Sequence, residues 1–421
     1  MIKIGFFGGM ANNMYVFAKA FDKFGFEVKY IKDYSDKYPF SQPFWEDIPI
    51  VLKHYQIEVY KNWSFSKWRC YEKKIDWNKP SWFYDITDQR DKKSNMQLIF
   101  QLFLKVIFLK NSRLIVHRIK SIKLMSKCDL LIVCGIEGTI IANLSNKPFI
   151  IWPHGGDLRF AAGQDFPTTI NPYIWIKYRY HLRTLLEAYK KSLFVGTHGP
   201  VGLGWKLDPL LTIIGDDKIK LIPIPLKIKK IMSKQEKRNL LIKLLKDFQI
   251  NYHSSKFIGF IPSRLDFSCK GQDRFLNALA KSPFKKNFHI YVSGWGTDII
   301  NAKNEFSLDN ITFLPFSLSK PLLYDFFRCM DFVVDQFVIG MYGTSAVEAM
   351  SCGVPVIMWI NKKLYIKQGW SSPPVINTKT EQDAINVIER ISNNKINLPK
   401  CGLKAQSWIK NVHGEKNVCR N

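Results

Sequence analysis

Acidic residues are scarce in this chain. Its 421 residues include 35 Asp and Glu against 62 Lys and Arg, which gives a formal net charge of +27. A surplus of this size favours anionic partners such as nucleic acid, anionic lipid or phosphorylated small molecules. Hydrophobic residues make up 46% of the chain and charged residues 23%. This ordinary globular composition excludes intrinsic disorder over most of the length.

Other signals are missing as well. The eight cysteines include no C-x-x-C pair, the spacing of many zinc and redox sites, so we expect reduced thiols in a cytoplasmic protein. The opening residues MIKIGFFGG reach glycine too soon for a signal peptide. Lysines interrupt the apolar stretches well before the ~18–20 residues that a membrane span needs. We therefore do not expect a secreted or membrane-spanning protein.

Short apolar runs alternate with helix-like stretches, which is typical of an α/β protein with buried parallel strands. The predicted strands are Lys3–Phe7, Leu130–Cys134, Phe149–Trp152, Leu193–Gly196, Lys220–Ile224, Phe257–Ile261, His289–Val292, Ile311–Leu314, Phe332–Val334 and Val354–Trp359. The predicted helices are Ser233–Phe248, Gly271–Lys281, Ser319–Cys329 and Thr344–Cys352. The first of these helices opens with an S-x-x-E capping box, and Gly353 is the expected stop of the last one.

The domain boundary is predicted near residues 225–235, where prolines hold Ile222–Leu226 extended and the charged stretch KIKK follows. We expect a first domain over 1–228, a second over 229–403, and a C-terminal helix over 404–421 that packs back on the first domain. Two doubly wound parallel-sheet units in tandem would face a central cleft.

Residues 101–127 carry seven Lys and Arg and no acid, interleaved with apolar residues. Such a cationic amphipathic segment is able to lie on an anionic membrane surface. The alternative is a helix that packs on the core and has a solvated basic edge.

Two glycine-containing loops in the first half follow predicted strands. Gly8, Gly9 and Met10 come after the first strand and would line an anion site at a helix N-terminus, or form only a tight turn. They do not make the G-x-G-x-x-G fingerprint of dinucleotide sites. The loop from Trp152 to Arg159 contains His154 and Asp157 and lies where ligands bind parallel sheets. A lone histidine is more often structural, but its clustering with glycines, an acid and a base favours a functional loop.

The second half carries a loop with two cations, Arg264 and Lys270, a fork and a point charge suited to a diphosphate. The alternative is two solvated loop cations. Further on, the backbone N–H groups of Gly343, Thr344 and Ser345 open a helix and would face an anion. Glu348 lies one turn later, where its carboxylate would accept two ribose hydroxyls. Alternatively, Ser345 and Glu348 form a capping box.

These motifs resemble the donor-binding domain of retaining GT-B glycosyltransferases of family 4. That family shows G-R-L-x-x-x-K-G-x-D followed by E-x-F-G-x-x-x-x-E-A-M-A-C-G-x-P-V. This chain has SRL at 263–265, KGQD at 270–273, YG at 342–343 and EAMSCGVPV at 348–356, in the same order. The spacing matches as well, except that four residues rather than three separate Leu265 from Lys270. The strand end VSGWG at 292–296 is also similar. In the first half only the glycine turn and the His154 loop match.

The resemblance implies an α/β protein of GT-B architecture and a role for each matching residue. Arg264 and Lys270 would bind the diphosphate of a nucleotide-sugar, Glu348 would hold the ribose, and the amides at 343–345 would reach the distal phosphate or the sugar. His154 would face the donor sugar from the other domain, and we expect His154 and Asp157 to be the catalytic residues. Gly8 and Gly9, followed by Met10, would line the phosphate side of the cleft.

One position departs from the family pattern. The family's first glutamate, a donor-sugar contact, falls on Gly340. Asp335 and Gln336 are possible replacement contacts. No D-x-D pair is evident, so we expect no metal and no cofactor beyond the donor. Protein cations would then stabilise the leaving diphosphate, whose oxygen would deprotonate the acceptor hydroxyl with retention.

The leading interpretation is a hexosyltransferase-type enzyme that moves a sugar from a nucleotide-sugar to a lipid-linked or cell-envelope glycan. It would be cytoplasmic and peripheral at the inner face of the membrane. A GT-B nucleotide-sugar epimerase is an alternative, but few acids and histidines are placed for it. A non-catalytic sugar-nucleotide-binding subunit is a second alternative, supported by Gly340. A nucleic-acid-binding protein would rest on net charge alone, since no recognisable module is present, and no nucleic-acid partner is expected.

Overall fold

The computed structural model describes residues 1–9, 12–32, 41–53, 75–86, 112–153, 156–161, 172–197, 199–200 and 214–420. They divide into two compact units, one formed by Met1–Glu46 with Trp63–Ile224 and the other by Asp47–Asn62 with Pro225–Asn421. The main division between residues 224 and 225 lies close to the predicted one between 228 and 229.

Within its described residues, the first unit contains a seven-stranded sheet in the order β4-β2-β1-β5-β6-β7-β8, with every neighbouring pair parallel. The strands are β1 (Lys3–Phe7), β2 (Glu27–Lys32), β4 (Phe83–Asp85), β5 (Leu130–Val133), β6 (Phe149–Ile151), β7 (Val195–Thr197) and β8 (Ile219–Leu221). The helices are α1 (Asn13–Lys23), α2 (Phe44–Asp47), α3 (Ser112–Met125), α4 (Gly135–Leu144), α5 (Gly156–Ala161) and α6 (Pro172–Lys191), with a 3-10 turn at Asp216–Lys218.

This first sheet is covered on both faces. Phe7 and Val133 point to one side, into a core that also contains Met125 of α3 and Leu185 of α6. The neighbouring Phe6 points to the other side, where its ring lies 5.6 Å from that of Phe21 in α1. The alternation along β1 therefore buries both faces of the strand, as expected for a parallel sheet between helices.

The second unit contains a six-stranded parallel sheet within its described residues, in the order β11-β10-β9-β13-β14-β15. Its strands are β9 (Phe257–Ile261), β10 (Phe288–Ser293), β11 (Ile311–Leu314), β13 (Phe332–Val334), β14 (Val356–Met358) and β15 (Ile376–Asn377). A short antiparallel ribbon pairs β12 (Phe316–Leu318) with β3 (Val51–Lys53). The pairing explains why Asp47–Asn62, which the sequence analysis assigned to the first domain, groups with the second unit.

The helices of the second unit are α7 (Lys234–Asp247), α8 (Asp273–Lys281), α9 (Ile299–Glu305), α10 (Lys320–Cys329), α11 (Thr344–Ser351), α12 (Lys362–Lys367), α13 (Glu381–Ser392), α14 (Leu398–Val412) and α15 (Glu415–Arg420), with a 3-10 turn at Lys285–Asn287. Ile261 of β9 lies in the core beside α8 and α13, whereas the ring of its neighbour Phe260 lies 4.8 Å from that of Phe326 in α10. Helices thus cover both faces of this sheet too.

The predicted C-terminal helix over 404–421 is instead two helices: α14, which begins earlier, at Leu398, and the short α15. Helix α14 contacts α11 in the second unit. Leu226 donates its N–H to the carbonyl of His413 at 2.7 Å, which ties the segment after the boundary to the end of α14. The predicted packing of residues 404–421 on the first domain stays a prediction.

Both sheets have one strand order. Numbered within each sheet, the strands run 3-2-1-4-5-6, with a seventh strand added in the first unit. This is the Rossmann order, in which the chain reverses direction across the sheet between the first and fourth strands. The reversal falls between β1 and β5 in one unit and between β9 and β13 in the other, and ligands bind such folds at the carboxyl ends of these strands.

Candidate functional site

In the second unit, the loops that follow β9 and β13 meet at the reversal point of the sheet. The loop after β9 carries Arg264 and Lys270, and the loop after β13 runs from Asp335 to Gly343, where α11 begins. The carbonyl of Lys270 accepts the N–H of Phe337 at 2.6 Å, so the two loops are joined through their backbones. The tertiary fold therefore brings together the two motifs that the sequence analysis found more than sixty residues apart.

A buried glutamine holds the loop after β9 in shape. The Gln272 side-chain amide donates to the Ser263 hydroxyl at 3.1 Å and to the Arg264 carbonyl at 2.7 Å. Its oxygen accepts the N–H of Asp266 at 3.3 Å. Gln272 is fully buried, so it supports this loop from its buried side. The sequence analysis quoted this residue only as part of a motif and gave it no role.

The loop is also fixed from the side by a close backbone approach. Leu265 donates its N–H to the Trp295 carbonyl at 2.9 Å. Gly296 has φ +129°, and a Cβ there would lie 2.2 Å from the Leu265 carbonyl oxygen. Only glycine fits this position, which explains the second glycine of VSGWG.

The two predicted phosphate-binding cations have different surroundings. Arg264 is half exposed and lies 3.3 Å from the Asp266 carboxylate in an ion pair. Lys270 is largely buried, and its ammonium donates to the Gln336 oxygen at 2.8 Å. The same ammonium lies 4.0 Å from the Asp335 carboxylate. Lys270 is therefore held in one position, whereas Arg264 has room to reorient towards a ligand.

Lys270 lies beside the N-terminus of α11. A Cβ placed at Gly343, the N-cap residue, would lie 3.3 Å from Oδ2 of Asp335 and 3.6 Å from the Lys270 ammonium. The N-cap supplies no side-chain hydrogen bond, and the first N–H groups of a helix have no partner within it. The N–H groups of Gly343, Thr344 and Ser345 thus lie beside the positive charge of Lys270. Hydrogen-bond donors at a helix N-terminus together with a cation are suited to bind an anion.

Asp335 is fully buried, and neither of its carboxylate oxygens has a hydrogen-bond partner among the described residues. Gln336 is also buried, and both ends of its amide are used: the oxygen accepts from Lys270 and the NH2 group donates to the Met341 carbonyl. These two predicted sugar contacts therefore surround Lys270 within the protein instead of presenting themselves at the surface.

Gly340 occupies the position of the family's first glutamate and has no room for a side chain. Its φ is +78°, and a Cβ would lie 3.0 Å from the Trp359 ring. Its carbonyl accepts the Asn361 N–H at 2.8 Å, which fixes the loop. A glutamate at this position would require a different backbone conformation, so the loop as a whole is built around a glycine at position 340.

Glu348 is buried in α11, and its carboxylate forms an ion pair with Lys320 at the start of α10. The capping-box alternative for Ser345 and Glu348 is wrong, because α11 begins at Thr344 with Gly343 as its N-cap. Lys320 was missed by the sequence analysis. A signal was present, since a lysine at the first residue of a helix is disfavoured by the helix dipole unless a carboxylate pairs with it.

In the first unit, Gly8 has φ +110°, and a Cβ there would lie 2.4 Å from the Cys134 sulfur. The glycine thus allows β1 and β5 to approach closely at their carboxyl ends, next to Gly9. Asp157 is buried and accepts the N–H groups of Gly135 at 3.1 Å and Leu158 at 3.0 Å. Its carboxylate therefore binds the first residue of α4. Met10 and His154 lie outside the described residues.

The described part of the basic segment is helix α3, which contacts α4. Arg118 makes a two-pronged ion pair with Glu137 at 2.8 and 2.6 Å, and Met125 is fully buried. One face of α3 therefore packs on the core, as the alternative interpretation proposed. Residues 101–111 lie outside the described part, and membrane association stays a prediction. Among the described residues, the structure contains no helix of the length and apolarity that crossing a membrane demands.

Comparisons with known proteins agree with this fold. Residues 256–393 match the family described as Glycosyl transferases group 1, and no curated protein matches the chain. Similar solved structures include Anabaena HepE in complex with UDP and glucose, at 14% identity and a TM-score of 0.58 over 100% of this chain and 98% of that one. Sucrose-phosphate synthase from Thermosynechococcus elongatus has 13% identity and a TM-score of 0.58 over 100% and 97% of the two chains.

TarM of S. aureus, in complex with fondaparinux, α-GlcNAc-glycerol and UDP, has 13% identity and a TM-score of 0.57 over 100% and 98% of the two chains. At these identities the likeness shows the fold alone. It confirms the expected α/β fold with two Rossmann-like domains of the GT-B type. The evidence for a glycosyltransferase of group 1 is the match of residues 256–393, which lie in the second unit.

Proposed function

We propose that this protein is a nucleotide-sugar-dependent glycosyltransferase, of hexosyltransferase type, that resembles family 4. The observation that supports this best is the position of Lys270 beside the N-terminus of α11, within the segment that matches the group 1 family. A fixed ammonium next to uncapped helix N–H groups is suited to a diphosphate, the part that all nucleoside-diphosphate donors share.

Each residue of this site has a proposed role. Lys270 and the amides at 343–345 bind the diphosphate, and Arg264 closes on it from the more exposed side. Asp335 and Gln336 hold Lys270 in place. Glu348 binds the ribose. Gly8, Gly9 and Met10 stay candidates for an anion site in the first unit, and His154 and Asp157 stay the proposed catalytic residues.

The reaction we propose is transfer with retention and without a metal. Lys270, Arg264 and the helix N–H groups stabilise the negative charge that develops on the leaving diphosphate. An oxygen of that diphosphate takes the proton from the acceptor hydroxyl, which attacks the anomeric carbon from the same face. The anomeric configuration of the product, read by NMR coupling constants, tests retention directly.

The proposed acceptor is a lipid-linked or cell-envelope glycan at the cytoplasmic face of a membrane. The net charge of +27 and the basic residues of 101–127 support this proposal, because clustered Lys and Arg residues bind anionic lipid surfaces. Co-sedimentation with anionic and neutral liposomes tests it. Replacing the basic side chains of 101–127 with glutamine should release the protein from anionic liposomes, and unchanged co-sedimentation would contradict the proposal.

The donor is tested by calorimetry with UDP-, GDP-, ADP- and CMP-sugars on the wild type and on Lys270→Met. UDP-sugars come first, since several similar structures contain UDP. A charge-assisted hydrogen bond is worth about 1.5–3 kcal/mol, so the variant should bind its donor at least ~10-fold more weakly. Lys303→Met removes the same charge from an exposed position of α9 and is the matched control. Equal affinity of Lys270→Met and wild type would reject the diphosphate site.

One observation favours a second candidate, a non-catalytic sugar-nucleotide-binding subunit. The loop at Gly340 excludes the glutamate that contacts the donor sugar in the family. Tight donor binding with neither transfer nor hydrolysis would support this candidate, whereas turnover with any acceptor would exclude it.

A further inference from the structure

The ion pair between Lys320 and Glu348 was not expected from the sequence. Lys320 is the first residue of α10, and Pro321 follows it. A cation at this position faces the positive end of the helix dipole. Its ammonium donates to Oε1 of Glu348, and both side chains are largely buried. The pair therefore has a strong electrostatic reason to form, and it occupies one of the two carboxylate oxygens.

The backbone that carries Lys320 is fixed by the antiparallel ribbon. Ser319 is fully buried. It donates its N–H to the Ile50 carbonyl at 2.9 Å, and its hydroxyl accepts the Ile50 N–H at 2.7 Å. The hydroxyl of an N-cap serine ordinarily binds the N–H groups of its own helix, but here it binds Ile50, the residue before β3. These hydrogen bonds hold the residue before Lys320 in place, so the backbone from which the Lys320 side chain extends to Glu348 is fixed.

The second oxygen of Glu348 has a different status. Oε2 is buried and has no hydrogen-bond partner within the described part of the chain. A charged oxygen buried without a donor is costly, and in native structures such a group calls for a missing partner. A hydroxyl of a ligand that reaches α11 would supply that donor.

We infer that Lys320 positions Glu348 so that Oε2, which has no partner among the described residues, is the oxygen that accepts from the ligand, and that a single ribose hydroxyl donates to it. The inference rests on the proposed function, because it places the ribose of the donor at Glu348. It assigns Lys320 as a positioning residue and gives the site a selectivity that a carboxylate with two open oxygens lacks.

The test is calorimetry with UDP, GDP and ADP, each compared with its 2′-deoxy and 3′-deoxy forms. The wild type should bind one deoxy form at least ~10-fold more weakly than the ribonucleotide and the other within ~3-fold, because one charge-assisted hydrogen bond is lost in only one case. Lys320→Met should bind all three forms within ~3-fold of one another. Lys320→Arg keeps a cation for Oε1 and should restore the preference.

The matched control is Lys303→Met, which lowers the net charge equally at an exposed position of the same unit and should keep the wild-type preference. A wild type that rejects both deoxy forms strongly would overturn the inference, because Glu348 would then accept from both ribose hydroxyls. A Lys320→Met variant that keeps the wild-type preference would overturn it too. If no nucleotide binds the wild type, the proposed function fails and the inference fails with it. If nucleotides bind without the one-sided preference, only the inference fails.

Discussion

We predict that a pair of stacked histidines makes the second unit less stable in acid. His289 of β10 is almost fully buried, and its ring stacks on that of His253 with centroids 4.4 Å apart and an angle of 8°. Its Nε2 is hydrogen-bonded to the Thr312 hydroxyl at 2.9 Å. Burial, and to a lesser extent the charge of His253, lowers the pKa of His289 from 6.5 to about 4.

The sign follows from linkage. The unfolded chain binds a proton at this histidine below pH ~6.5, whereas the folded chain does not until about pH 4. Stability is therefore complete above pH ~6.5 and is lost as the pH falls towards 4. At about 1.4 kcal/mol per pKa unit, the full loss is about 3.5 kcal/mol, and about 2.5 kcal/mol is already lost at pH 4.5.

The assay is urea unfolding of wild type and His289→Gln at pH 7 and pH 4.5, with hydrogen exchange of peptides from β10 reporting the second unit. The glutamine keeps a partner for Thr312 but cannot titrate. Between the two pH values, the wild type should lose about 2.5 kcal/mol more than the variant. His253→Gln removes the neighbouring charge and should reduce this difference only in part. If wild type and His289→Gln lose stability in parallel, the reasoning is refuted.

Three further predictions concern the same unit. Gly340→Ala should lower the free energy of unfolding by about 1–3 kcal/mol, because alanine is strained at positive φ and its Cβ would contact the Trp359 ring. Gly369→Ala has a similar φ but no atom within 4 Å of the new Cβ, so it should cost less in the same urea titration. Equal costs would show that the contact with Trp359 does not contribute. Gln272→Leu removes the hydrogen bonds that shape the loop after β9 and should weaken donor binding ~10-fold in calorimetry. Gln382→Leu, at an exposed position of α13, should leave donor binding unchanged. An unchanged dissociation constant for Gln272→Leu would show that the loop keeps its conformation without Gln272. Asp331→Asn leaves the largely buried Arg238 without its carboxylate partner and should lower the free energy of unfolding by about 3–5 kcal/mol. Glu381→Gln breaks the more exposed pair with Lys281 and should lower it by less than about 1 kcal/mol. Equal losses of stability would contradict the role of burial.

The elements predicted correctly carry strong local signals. The capping box of Ser233 and Glu236 is present with both hydrogen bonds, and α7 begins at the following residue. Gly353, the residue after the C-cap Cys352 of α11, has φ +72°, as a helix stop requires. The continuously apolar runs, such as Phe257–Ile261, are strands because a buried parallel sheet needs apolar residues on both faces.

The elements that were missed lack such signals. β2 reads EVKYIK, in which charged and apolar residues alternate, so it does not resemble a buried run. β15 has two residues, too few for any pattern. Helix α13 was not predicted, although Thr380 forms a capping box with Asp383. Of α14, only the part from residue 404 onward was predicted to be helical. The signal for α13 was therefore present in the sequence.

By itself, the sequence determined the two Rossmann-like halves, the boundary near residue 225 and the order of the second-half motifs, because these depend on local polarity, capping and turn residues. Only the tertiary structure decided what the motif residues contact. Three such contacts join residues that lie between 28 and more than 260 positions apart in the sequence: the ion pair of buried Asp335 with Lys270, the ion pair of Lys320 with Glu348, and the pairing of β3 with β12. Such contacts depend on which segments the folded core excludes from water, and no local pattern encodes that choice.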